Sequence, residues 1–223
     1  MKTLILTFGA AGLLGAQTFP VVHKKDLWPD AAGEIRITDS AIEFQASKEK
    51  HSRRWEYADI QHFDRRSERE FVVMSYEDER KYLGRDRRFH FALTEGAISD
   101  ELFQTIAKRI GKPVTDRVVG GEPAGGYAVP VKHLHSLGGC EGELRFLDDR
   151  IVYSTQHKPD AREWRIEPDI DSVWSTNPYQ IELHVYEDNR REFSHTRVFK
   201  FDLKQRLNPE VYSALKMRRF ALR

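Results

Sequence analysis

The sequence has a single cysteine, Cys140, among its 223 residues. A chain with one cysteine cannot close an internal disulfide, so its stability must come from packed hydrophobic cores. The sequence also lacks an excess of either charge, because 36 lysines and arginines face 35 aspartates and glutamates for a net charge of +1. Proteins that hold a phosphate backbone usually carry a clear basic excess. We therefore expect no nucleic-acid partner.

Motifs typical of enzyme active sites are missing as well. The sequence contains no Gly-x-Ser-x-Gly elbow, no phosphate-binding loop ending in Gly-Lys-Ser/Thr, and no His-Glu-x-x-His zinc motif. The glycine-rich segment GGEPAGG lacks the lysine that a phosphate loop requires. We therefore expect no catalytic residues, no cofactor and no enzymatic activity.

Long hydrophobic runs are also missing, apart from a short one at the N-terminus. Lys2 precedes an apolar segment from Leu4 to about Ala16, which is rich in small residues. A run of roughly 13 residues is shorter than the ~20 that a bilayer span needs, but it suits a cleaved secretory signal. We expect residues 1–17 to be a signal peptide. The mature protein is then an exported bacterial protein, periplasmic or secreted, with no transmembrane anchor.

Two segments of the chain repeat each other. GEIRITDSAIEF, which begins at Gly33, aligns with GELRFLDDRIVY, which begins at Gly142. The alignment continues through Trp55 and Trp164 and reaches a Tyr-Glu-Asp triplet in each copy. A match of this length predicts an internal duplication. We place repeat 1 at residues 18–112, a Gly/Pro linker at 113–130, and repeat 2 at 131–223.

Each repeat has the sequence pattern of a small, mainly β domain. Ile35 and Ile37 alternate with polar residues, as in a half-buried strand, and Asp39 begins the turn that follows. Similar patterns predict about seven strands per repeat. A helix then closes each repeat: Ser99 is positioned to cap the first, and Asn208-Pro209 to begin the second.

This order of elements resembles the pleckstrin-homology-like (PH-like) superfold. The Gly-Glu-[Ile/Leu]-Arg hairpin, the tryptophan strand, the Asp-Ile turn and the terminal helix carry the resemblance. It implies an α+β, mainly β protein with two seven-stranded bent sandwiches or barrels, each closed by its C-terminal helix. Trp55 and Trp164 are then core residues.

Phosphoinositide binding, which the resemblance also suggests, is not expected here. Such binding needs a basic first hairpin, because lysines and arginines must hold the phosphate oxygens. The two hairpin tips are instead Asp39-Ser40 and Asp148-Asp149, which are acidic.

His133, His135 and Cys140 are candidate metal ligands. The two histidines alternate on a predicted strand, so their side chains point to the same face and could share one ion with the cysteine. The alternative is a pair of ordinary strand histidines, because repeat 1 has no matching cysteine.

Val72 and Met74 are candidates for an interface. They lie where repeat 2 has the polar residues Glu182 and His184, and they should face away from the core if Phe71 and Val73 face it. An apolar outer face indicates burial against another surface. We interpret that surface as the second repeat, the linker or a partner protein.

Together these features predict a non-catalytic binding or scaffolding module for a protein or peptide. The resemblance implies an extended segment bound along a strand edge beside a terminal helix. Two alternatives stay open: a carrier or sensor of a small apolar ligand or lipid, and an envelope enzyme without a known motif.

Overall fold

The computed structural model describes residues 16–25, 28–79, 86–120, 125–136, 138–187 and 196–220. The predicted signal peptide lies outside these ranges except for Ala16 and Gln17, and Gln17 already begins the first strand. Within these ranges, the structure contains no helix of the length and apolarity that a membrane crossing requires.

Seven strands and one helix form the first half of the described chain. They are β1 (Gln17–Lys24), β2 (Ala31–Ile37), β3 (Ala41–Ala46), β4 (Arg53–Glu56), β5 (Ile60–Ser67), β6 (Glu70–Asp78), β7 (Asp86–Leu93) and α1 (Asp100–Ile110). Ser99 caps α1 by accepting a hydrogen bond from the Leu102 amide. Gly111 ends the helix in the left-handed conformation, with φ of 62°. The start predicted for this helix is confirmed.

The second half has the same order of elements in the part that the structure describes. After α1 come β8 (Val114–Asp116), β9 (Tyr127–His135), β10 (Gly138–Phe146), β11 (Arg150–Thr155), β12 (Arg162–Arg165), β13 (Ile170–Asn177), β14 (Gln180–Val185), β15 (Arg197–Leu203) and α2 (Pro209–Phe220).

The fifteen strands of the described residues belong to one open hydrogen-bonded sheet. Its order is β13-β14-β15-β9-β10-β11-β12-β8-β5-β6-β7-β1-β2-β3-β4. The chain is therefore mainly β with two helices, as predicted, but its strands do not form two separate closed sandwiches or barrels. The reason is β8, which pairs in parallel with β5 and antiparallel with β12.

The predicted linker at 113–130 differs from the structure because it contains β8 and the start of β9. Val114 and Thr115 are β-branched residues that favour strands. Because glycines and prolines surround these two residues, their preference for a strand is not evident in the sequence.

Two hydrophobic cores lie on the sheet, one in each half. The first includes Trp55 and Phe89 together with the apolar face of α1, and the second includes Trp164 and Phe199. The ring centroids of Trp55 and Phe89 are 4.7 Å apart, and those of Trp164 and Phe199 are 4.8 Å apart. Both tryptophans are buried, so their prediction as core residues is confirmed.

Buried charged side chains hold β8 in place. Arg65 on β5 donates hydrogen bonds to both carboxylate oxygens of Asp116, at 2.8 and 2.5 Å. Asp169 accepts a hydrogen bond from the Val114 amide at 3.0 Å and another from Arg165 at 2.7 Å. Removing one partner of a buried ion pair costs about 3–5 kcal/mol, because the other charge is left without compensation. These pairs therefore fix the register of β8.

Arg117, directly after β8, contacts carboxylates from both halves. Its guanidinium donates to Asp64 on β5 at 2.8 and 2.9 Å and lies 3.4 Å from Glu187 of the second half. Glu187 is also held by Arg162 on β12, at 2.9 and 3.1 Å. Burial opposes the ionisation of Asp64 and Glu187, but the arginines outweigh it and lower the pKa of both carboxyls. Asp64 and Glu187 are therefore ionised at neutral pH.

Val72 and Met74 on β6 are buried although they lie outside both cores. Their exposed fractions are 4% and 3%, and they alternate with the core residues Phe71 and Val73. Val72 lies beside Asp64 on the neighbouring strand. Residues of this chain cover them, which favours the intramolecular form of the interface interpretation.

We expect Val72→Glu to lower the free energy of unfolding by more than ~2 kcal/mol, because it would bury a carboxylate beside that of Asp64. Urea denaturation measures the change. Val198→Glu is the matched control: Val198 is an exposed valine on β15, and its replacement should change stability by less than ~0.5 kcal/mol. Equal stability of the two variants would contradict the packing of this face.

Candidate functional site

Five residues with metal-binding side chains lie together in the second half. His133 and His135 are on β9, and Cys140 is on β10. His157 precedes a short 3-10 turn, Lys158–Asp160, and Asp160 ends it before β12 begins. The ligand atoms of His133, His135 and Asp160 lie within 4.8 Å of one another, and so do those of Cys140, His157 and Asp160. Asp160 belongs to both groups, so the five residues form one cluster, which we call the His/Cys/Asp cluster.

The hairpin between β9 and β10 brings Cys140 to the histidines. Cys140 is paired with His133 across the two strands. Gly138 has φ of 97°, and a Cβ at Gly139 would lie 2.4 Å from the His133 carbonyl oxygen. Glycine is therefore required at both positions for the turn to close tightly before the cysteine.

His133 is a core residue as well as a member of the cluster. Its ring centroid lies 5.2 Å from that of Phe199 and 5.0 Å from that of Phe201. Burial, together with the neighbouring His135, lowers the pKa of His133 to about 4. The imidazole is therefore neutral at neutral pH, which is the form that binds metal ions.

Asp160 is at the centre of the cluster. His157 Nδ1 lies 2.9 Å and His135 Nε2 lies 3.1 Å from its Oδ2 atom. Burial opposes its ionisation, but the contacts with His157, Cys140 and the other histidines outweigh burial and lower the pKa of Asp160. Partial burial and the Asp160 carboxylate raise the pKa of the Cys140 thiol. Without an added cation the cluster therefore holds a carboxylate and a protonated thiol.

The sequence identified three members of the cluster and missed His157 and Asp160. These two lie in a polar loop, which has no periodic pattern, and they approach the cluster from a different hairpin. One signal was available: the second copy has His157 and Asp160 where the first copy has Lys48 and His51.

The outer edge of β13 is the second candidate site. It is one end of the sheet and has no strand partner among the described residues. In the alignment of the two sequence segments, Trp174 of β13 corresponds to Asp64 of β5. The Trp174 side chain is 54% exposed. Helix α2 lies beside this edge: the Tyr212 hydroxyl accepts a hydrogen bond from the Ser175 amide at 3.1 Å, and Lys216 Nζ lies 5.8 Å from the Trp174 ring centroid.

A groove of about 1030 Å³ lies between the two halves. It is lined by arginine and lysine side chains and by carboxylates, among them Arg66, Arg69, Lys158, Asp64 and Glu68. The Asp64 carboxylate already accepts a hydrogen bond from Arg117. The mixed charge does not match the closed apolar cavity that a carrier of a small apolar ligand needs.

Comparison with known proteins assigns no family to this chain. No family model and no curated protein matches it. Among solved structures, the chain matches one described as the structure of the Spt16D Pob3N heterodimer. The match has 10% sequence identity, covers 77% of this chain and 83% of that chain, and has a TM-score of 0.28.

The buried histidine of the first half gives a prediction for the effect of pH on stability. His23 on β1 packs against Phe44, Phe89 and Phe91. Burial and, to a smaller extent, Lys25 lower its pKa to about 4. The pKa of an unfolded histidine is about 6.5, so the neutral folded form stabilises the protein fully above that pH. This contribution is lost as the pH falls from about 6.5 towards 4, because the unfolded state then binds a proton that the folded state does not.

We expect His23→Leu to reduce the loss of stability between pH 7 and pH 4.5 by about 1–2 kcal/mol, after allowing for partial solvent screening. Urea denaturation of the wild type and the variant at both pH values, with a chelator present, measures the difference. An unchanged pH dependence in the variant would show that His23 is equally easy to protonate in the folded and unfolded states.

Proposed function

We propose that the protein is an exported, non-catalytic binding module built from two PH-like domains, residues 18–112 and 131–223. We propose that it binds an extended segment of a partner protein along the outer edge of β13, beside α2. The observation that carries this proposal is β8, a segment of the chain itself that occupies the corresponding edge of the first half.

Strand β8 is the template for the proposed interaction. It lies parallel to β5, with Val114 opposite Phe63, Thr115 opposite Asp64 and Asp116 opposite Arg65. Val114 contributes to the first core, so an added strand is held by an apolar side chain as well as by backbone hydrogen bonds. Helix α1 contacts β5, just as α2 contacts β13.

The corresponding positions on β13 are Val173, Trp174 and Ser175. Val173 borders the second core, so the incoming strand needs an apolar residue opposite it. Ser175 corresponds to Arg65, which binds Asp116 in the first half. Position 175 therefore has no arginine that could bind an acidic residue of the incoming strand. Trp174 offers a large exposed ring for an apolar or aromatic side chain. The preferred segment is therefore apolar and uncharged at the positions facing β13.

Several structural parallels support the interpretation as duplicated PH-like domains. The strands have the same neighbours within each half. Register shifts between Ile60 and His62 on β5 recur between Ile170 and Ser172 on β13. Each half also buries a histidine against a cluster of aromatic rings. Export rests on the apolar N-terminal segment alone.

A peptide-binding experiment tests the β13 edge. Decapeptides with one fixed valine and random flanks are selected by display against the mature protein, and the selected peptides are synthesised. We expect micromolar binding that Trp174→Ala weakens at least tenfold, because an aromatic anchor at an interface typically contributes ~2 kcal/mol or more. Tyr76→Ala is the control, since Tyr76 is an exposed aromatic residue of the first half. Its replacement should change affinity less than twofold.

Hydrogen exchange locates the bound peptide. We expect new protection of the β13 amides and none at β4, the other end of the sheet. Peptides that bind Trp174→Ala as tightly as the wild type, or that protect only the groove between the halves, would overturn the proposal. So would a dimer that Trp174→Ala dissociates, because a second copy would then be the occupant of the edge.

A further inference from the structure

We propose that the His/Cys/Asp cluster is a binding site for one divalent transition-metal ion, and that zinc is the ion that its ligands fit best. This inference does not depend on the proposed function, because none of its residues lies on β13 or α2.

The ligand types select the class of metal. Imidazole nitrogen, thiolate sulfur and carboxylate oxygen are the usual ligands of zinc, whereas calcium and magnesium are bound by oxygen alone. Ligand atoms around a tetrahedral zinc ion are about 3.3–3.8 Å apart. The atoms of each group in the cluster already lie within 4.8 Å of one another, so small side-chain movements suffice to close around an ion.

The polar contacts of the cluster suit a bound cation. His135 Nε2 is buried and makes no hydrogen bond within the described part of the chain, although it lies 3.1 Å from the Asp160 carboxylate. A neutral histidine binds a metal ion through a ring nitrogen that has no other partner, and a carboxylate oxygen beside that nitrogen can serve as a second ligand. An ion shared by His135 and Asp160 would give this nitrogen a partner, and Asp160 also belongs to the group that contains Cys140.

The first half has a buried histidine at the position of His133 but lacks the other residues of the cluster. His23 is paired with Ala31 across β1 and β2, as His133 is paired with Cys140 across β9 and β10. Both histidines pack against aromatic rings of their own core. A buried histidine at this position is therefore a feature of both halves and is not by itself evidence for a metal.

The other four members of the cluster occur in the second half alone. The first half has Lys25, Ala31, Lys48 and His51 at the positions of His135, Cys140, His157 and Asp160. Two lysines would repel a cation, and alanine offers it no ligand. Because the same backbone folds with these residues, the fold itself does not require the ligand set of the second half. A bound ion accounts for all four differences together.

Metal titration of the mature protein, with any affinity tag removed and the protein stripped with a chelator, tests the proposal. We expect one zinc ion per chain with a submicromolar dissociation constant in calorimetry. Cobalt(II) should give the near-ultraviolet thiolate-to-metal charge-transfer band and the strong visible bands of a tetrahedral site. Zinc should also raise the melting temperature.

Variants separate this site from adventitious binding. Cys140→Ser should abolish the charge-transfer band, and Cys140→Ser and His157→Ala should each weaken zinc binding at least tenfold. Both residues lie near the surface, and circular dichroism of the metal-free variants checks that they fold. His51→Ala is the matched control, because His51 occupies the position of Asp160 in the first half; its zinc affinity should equal that of the wild type.

Two outcomes would overturn the proposal. One is a wild-type protein that binds zinc only at millimolar concentration or without defined stoichiometry. The other is tight zinc binding that persists in both Cys140→Ser and His157→Ala, since neither residue would then be a ligand of the ion. Neither outcome bears on the β13 edge, which is tested by peptide binding.

Discussion

The buried ion pair between Arg65 and Asp116 determines how the two halves of the molecule join. Removing an arginine from water is unfavourable unless its donors are satisfied, and here Arg65 also donates to the Ile98 carbonyl oxygen and to Asp100. Strand β8 has only three residues, so its backbone hydrogen bonds alone could not hold it between β5 and β12. The ion pair therefore holds the segment between the two halves as strand β8, and β8 joins the strands of both halves into one sheet.

The placement of β8 makes the two halves unequal. It covers the edges of β5 and β12 and leaves β13 and β4 as the ends of the sheet. The outer face that carries Val72 is buried in the first half, whereas Trp174 and Val198 stay exposed in the second. Ser175 replaces Arg65, so the second half could not hold a strand like β8 through an acidic residue. The edge of β5 is therefore covered by β8, whereas the edge of β13 remains available.

Local patterns predicted most of the elements, and non-local contacts explain what they missed. Alternation of apolar residues, the Ser99 cap and the two tryptophans each depend on neighbouring positions in the sequence. The union of the halves depends on Arg65 meeting a residue about 50 positions away, and no periodicity marks such a pair. The metal cluster was partly visible because His133 and His135 share a strand, whereas Asp160 reaches it from a separate loop. The positions at which the two halves differ indicate the cluster better than the pattern within either half.

The His/Cys/Asp cluster and the junction between the halves share one turn of the chain. Arg162 donates hydrogen bonds to the carbonyl oxygens of Pro159 and Ala161, on either side of Asp160, at 2.7 and 2.8 Å. The same guanidinium binds Glu187, which lies 3.4 Å from Arg117 at the end of β8. An ion bound by Asp160 would hold the turn to which Arg162 is anchored. Metal binding in the second half would therefore stabilise the contacts that fasten it to the first, through side chains that are already in contact.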